Sequence, residues 1–168
     1  TLTSAGGAQA GTGTQGVGGT ITFNDPVALT TGTATITTGA TAGNITFDST
    51  VNGAQALTLT SGTGNITFSG VGGGSTALGL VTVNLAANVT TSAAFSSAGF
   101  NQSTSGTGTT QIGGLLTSTA AVTLDAVTVD LNAGITTTAG GAAGLVTLNA
   151  SSLVDLVTGV SITTEASQ

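Results

Sequence analysis

Gly43-Asn44-Ile45-Thr46-Phe47 returns as Gly64-Asn65-Ile66-Thr67-Phe68, the same five residues after a step of 21. A looser copy, Gly19-Thr20-Ile21-Thr22-Phe23, precedes them by 24, and a degraded one, Asn88-Val89-Thr90, follows with its Phe position lost to Ser92. Within each copy apolar and polar residues alternate, which is the period-two pattern of a half-buried strand. A fixed period of this size is also the signature of a repeat architecture.

A second signature falls between the copies. It runs Thr35-Ile36-Thr37, Leu57-Thr58-Leu59, Val81-Thr82-Val83, Val122-Thr123-Leu124 and Val146-Thr147-Leu148, with Val81 following Leu57 by 24 and Val146 following Val122 by 24. Two signatures sharing one period define one repeating unit of two or three short strands. Helix competes poorly, because 28 Gly are spread through the chain and β-branched residues dominate it. Even the best helical candidate, Ala77 to Ala87, reads as strand.

One such unit has almost no interior, so it buries its apolar stripe only by stacking on its neighbours. The fold expected is an all-β parallel solenoid, or β-helix, with about 21–24 residues per coil, formed by residues 1–168 as a single segment of a longer chain or of a stacking filament. In it, Phe23, Phe47 and Phe68 form one internal column and Ile21, Ile45 and Ile66 the next, continued by Val89. Asn44, Asn65 and Asn88 form an asparagine ladder at a turn, each amide bonding its equivalent one coil away. The stretch 92–116, rich in Ser, Gly and Gln, breaks the pattern and reads as an inserted loop or a subdomain junction. The rival architecture is a β-sandwich filament subunit that exchanges strands.

Composition narrows function more than any motif does. The chain has no Lys, Arg, His or Cys, and its six carboxylates give a net charge of -6. Without cations it has nothing to neutralise phosphates, which argues against nucleic acid, and nothing to dock on anionic lipid. No apolar run is long enough to insert in a membrane. A hydrophobic share of 39% exceeds what disordered chains carry. The absence of Cys fits neither a disulfide scaffold nor a thiol-metal site.

Catalysis lacks its parts. No residue is present to act as base for a Ser or Thr nucleophile, which leaves carboxylate-pair chemistry with Asp125 and Asp130 as the only candidates. The expectation is that the chain is not an enzyme and holds no cofactor. Asp25 with Asp48, and Asp130 with Asp155, are weak Ca²⁺ candidates, since each pair is spaced by about one coil and oxygen ligands suit that ion. Five Asn-x-Ser/Thr patterns, at Asn44, Asn65, Asn88, Asn101 and Asn149, arise freely in a Thr-rich strand protein. Thr-x-Thr pairs at Thr20/Thr22, Thr35/Thr37 and Thr58/Thr60 raise ice binding, although in the sequence they do not recur at one phase of the period.

The Gly-Asn-Ile-Thr-Phe units, together with Val51-Asn52-Gly53-Ala54-Gln55-Ala56-Leu57-Thr58-Leu59 and Val71-Gly72-Gly73-Gly74-Ser75-Thr76-Ala77-Leu78, resemble the repeats of very large bacterial surface proteins of the filamentous haemagglutinin and autotransporter-adhesin type. The resemblance is clearest over residues 17–91 and continues more weakly through Thr117 to Thr164. It implies a right-handed parallel β-helix, export to the cell surface or beyond, and a structural or adhesive role in attachment, aggregation or matrix formation. The partners it implies are adjacent repeats, copies of the same chain, cell-surface glycans or other cells. A ligand-binding module for carbohydrate, Ca²⁺ or ice is the alternative function, and a self-assembling filament subunit is another.

Overall fold

A computed structural model describes residues 2–3, 19–102, 107–138 and 144–164. Every strand pairing in it is parallel, and the described residues contain no helix. Parallel pairing between segments about one repeat apart excludes the strand-exchanging sandwich and makes the chain a β-solenoid of about six turns.

Three ladders run along the stack. The first joins Ile21–Phe23, Ile45–Phe47, Ile66–Phe68, Val89–Thr91 and Thr109–Ile112, then the C-terminal parts of the long strands Val122–Leu131 and Val146–Leu156. The second joins Val27–Ala28 to Val51–Asn52, passes through single bridges at Gly72, and continues from Phe95 to Leu116–Ser118, Ile135–Thr137 and Ile162–Thr164. The third joins Leu2–Thr3, Ala34–Thr37, Leu57–Thr60, Leu78–Leu85, the end of Phe95–Gln102, and the beginnings of the two long strands. Successive partners Ile21, Ile45, Ile66, Val89, Thr110, Val129 and Val154 differ in number by 24, 21, 23, 21, 19 and 25, a wider range than the sequence repeats display.

Alternation within each strand sorts the side chains. In Ile45–Phe47 and Ile66–Phe68 the outer two residues are buried and the central Thr is only half-buried. In mid-stack the inward columns are sealed: Ile45, Leu57, Leu59, Ile66, Val81, Val83 and Val89 are all 0% exposed. Burial at this level is the principal favourable term for folding, at about 25 cal/mol per Å² of apolar surface. The last coil is uncovered, with Val154, Leu156 and Ile162 exposed where their partners Val129, Leu131 and Ile135 are not.

The Phe column is a stack of rings. Phe23 and Phe47 lie 4.9 Å apart at an interplanar angle of 8°, and Phe47 and Phe68 lie 4.8 Å apart at 3°. That spacing is the separation of neighbouring strands, so the rings inherit their contact distance from the backbone ladder. The column then turns. Phe68 meets Phe95 edge-on at 5.0 Å, and Phe95 meets Phe100 edge-on at 5.8 Å. The register partner of Phe68 is Thr91, not Ser92, so the vacated ring position in the first ladder is compensated by a ring from the second.

Gly72 explains how Phe95 reaches that place. A Cβ on Gly72 would collide with the Phe95 ring, so the missing side chain of one coil is the space occupied by the next. Corners are fixed by short polar contacts. The buried hydroxyl of Thr38 donates to the Gly43 carbonyl at 2.8 Å, and Ser61, one coil on, donates to the Gly64 carbonyl at 2.9 Å. Gly64 itself packs directly on the Gly43 backbone, where any Cβ would clash, which accounts for Gly at this position.

Two expectations about regularity are corrected. The stretch 92–116 carries the eight-residue strand Phe95–Gln102 and the strand Thr109–Ile112, both in register with their neighbours, while residues 103–106 lie outside the described residues. Ala34-Thr35-Ile36, rather than Thr35-Ile36-Thr37, is the partner of Leu57-Thr58-Leu59. The segment Leu78–Leu85 is strand.

Candidate functional site

The outward surface of the first ladder carries a continuous column of polar side chains. Its central column runs Thr22, Thr46, Thr67, Thr90, Gln111, Asp130 and Asp155 along successive rungs. One residue before Ile45, Ile66 and Val89 lies the Asn column. It is a hydrogen-bonded ladder, though less uniform than amide stacked on amide. The Asn44 side-chain oxygen accepts from the Asn65 backbone N–H at 2.9 Å, Asn88 Nδ2 donates to Asn65 Oδ1 at 2.8 Å, and Asn88 Oδ1 accepts from the Thr109 N–H at 2.7 Å. The side chains thus reach backbone donors at the strand entries that would otherwise lack partners.

Between the two columns lies a shallow groove of about 350 Å³, lined by Asn65, Asn88 and Thr109 on one side and Thr67, Thr90 and Gln111 on the other. All six are half-buried. Gln111 is held at one end, its Nε2 donating to Asp130 Oδ2 at 2.8 Å, and Asn132 Nδ2 donates to the same oxygen at 3.2 Å.

The carboxylates do not gather into a centre. Asp130 and Asp155 are register partners on adjacent rungs. Asp25 and Asp48 are not, because pairing of Phe23 with Phe47 sets Asn24, one residue on, against Asp48. Asp48 accepts from the Ser69 hydroxyl at 3.5 Å. Among the described residues no three acidic or other metal-ligating side chains come together. Asp125 and Asp130 sit on one continuous strand but belong to different ladders, partnered by Asn149 and by Gln111 and Asp155 respectively. They are therefore not a facing pair.

In the third ladder two of the three Thr-x-Thr pairs fall in register, while Thr20/Thr22 belongs to the first ladder. Thr35 and Thr37 pair with Thr58 and Thr60; the Thr35–Thr58 column continues through Thr82, Asn101, Thr123 and Thr147, whereas Thr60 is followed by Leu85. The second signature skips the rung Phe100-Asn101-Gln102, which pairs with both Val81-Thr82-Val83 and Val122-Thr123. Its step from Val81 is only 19 and its third residue is Gln102, a buried amide that accepts from Thr110 Oγ1 at 2.7 Å. The two Phe residues nearby were the available signal for this rung, since in this chain every Phe lies in one continuous interior column.

No family model matches the chain, and neither a curated protein nor a solved structure matches it.

Proposed function

We propose that this chain is a structural and adhesive element of a bacterial surface or secreted fibre protein, extending and presenting its outer faces to other cells or to a matrix, with no catalytic role and no cofactor. The observation that supports this most is the repetition itself. Sealed apolar columns and three parallel ladders form a rod whose outer faces are uncharged over most rungs. Adjacent repeats, or copies of the same chain, are the partners this reading names, because a like ladder continues the parallel hydrogen bonds of each rung. The extracellular placement and the kinship with haemagglutinin-type repeats rest on the quoted sequence units. The test is display of the chain on a non-adherent bacterium at measured surface density. Attachment to cells or coated surfaces above that of the bare host is expected, and attachment equal to the host's at matched density overturns the proposal.

A second reading is ice binding, favoured by one observation: a single outward column of the third ladder carries Thr35, Thr58, Thr82, Thr123 and Thr147, interrupted by Asn101. Thermal hysteresis of the isolated chain decides it, and freezing and melting points that coincide rule it out.

A further inference from the structure

The groove on the first ladder has walls that are already fixed and hydroxyls that are not engaged. Its Asn side is held by the Asn88–Asn65 and Asn88–Thr109 hydrogen bonds, and its far end by the Gln111–Asp130 bond. The Thr67, Thr90 and Thr109 hydroxyls carry no hydrogen bond to any described residue. Fixed walls reduce the ordering cost of binding, and free hydroxyls each offer both a donor and an acceptor.

The groove's chemistry selects a ligand class. Its six lining residues are all neutral hydroxyls or amides, and the chain holds no Lys, Arg or His to attract an anion. Asp130, bonded to Gln111 at the groove's end, repels one. Sulfated, uronic or phosphorylated polymers are therefore disfavoured. Its direction selects a shape. The lining comes from equivalent positions on three successive rungs, so donors and acceptors repeat along the solenoid axis at roughly the 4.8 Å strand spacing. A ligand that engages all three rungs must itself repeat hydroxyls along its length.

We infer that this groove holds an uncharged, extended polysaccharide strand lying parallel to the solenoid axis, with Thr67, Thr90 and Gln111 contacting successive sugars. This rests on the attachment reading and names what is attached to.

The experiment is retention of the purified chain on insoluble cellulose, chitin and cross-linked dextran, beside carboxymethyl-cellulose and heparin matrices. The variants are Thr67→Val/Thr90→Val/Thr109→Val, which removes the hydroxyls at constant shape, and Thr90→Asp, which places a charge in the groove. Melting curves of both verify folding, and the surface display described above runs in parallel with each. Retention on at least one neutral matrix, falling tenfold or more in both variants, is expected. Failure to bind any neutral matrix overturns the inference, as does retention unchanged by either variant or stronger on the anionic matrices. If wild-type display still confers attachment in those cases, the groove assignment alone has failed. If display confers none while neutral matrices are retained, the attachment reading has failed and the groove assignment stands.

Discussion

Replacing Phe47 by Ala removes the middle ring of a three-ring stack, and its cost follows from the geometry. Phe47 is 1% exposed and lies between Phe23 at 4.9 Å and Phe68 at 4.8 Å, both nearly parallel to it. Truncating a buried Phe costs about 3–5 kcal/mol, as lost transfer energy plus the cavity left behind. Stacked pairs add about 0.5–1.5 kcal/mol each beyond buried area. Here two pairs are lost and the ladder prevents the coils from closing on the void, so the upper part of the range applies, about 4–5 kcal/mol. Phe23 is only half-buried and stacks on Phe47 alone. Phe23→Ala should therefore cost about half as much, roughly 2 kcal/mol. Urea denaturation followed by β-sheet ellipticity measures both, with the slope checked for constancy so that the midpoint shift reads as stability. A loss under about 1 kcal/mol for Phe47→Ala, or equal losses at the two positions, would refute the claim that stacked rings between coils carry the fold. Phe47→Asp places an unpaired charge in the same column and should unfold the neighbouring coils outright.

Gly72→Ala should destabilise by about 1–3 kcal/mol through overpacking, and Phe95→Leu should relieve part of it; a double-mutant cycle by calorimetry with no coupling would contradict the interlocking of these two coils. Asn88→Ala removes two hydrogen bonds and leaves the Thr109 N–H without its partner, so a loss of about 1–3 kcal/mol is expected in chemical denaturation, larger than for Asn44→Ala, which removes one. The buried hydroxyl of Thr91 has no partner among the described residues, so Thr91→Val should raise the melting point, corresponding to roughly 1 kcal/mol; a fall would mean that the hydroxyl is satisfied in solution.

Where the repeat is written in side chains of one kind, it could be read directly. Gly-Asn-Ile-Thr-Phe alternates cleanly, so its inward and outward residues and its register follow from period two and a constant step. Legibility fails where the physics allows substitution. A buried position needs a filled volume and satisfied polar atoms, not a particular residue, so Gln102 bonded to Thr110 replaces an aliphatic residue and hides a strand. Corners need only close, so coil length drifts from 19 to 25, and an offset learned from one pair misplaces the next. That drift is why Asp25 and Asp48, 23 apart in a coil of 24, are not opposite one another. The groove was harder to see, because it depends on which hydroxyls the ladder leaves unbonded, and neighbouring coils determine that.

The pairing of each coil with its immediate neighbours bears on how such a chain is built up. Each turn finds its partners one turn away along the polypeptide, so its stability depends on its neighbours and not on the length of the whole. Length is then additive, like courses of brick, and the number of courses sets the reach of the rod without any change to its cross-section. An organism can lengthen it by duplicating a unit, with nothing elsewhere to redesign.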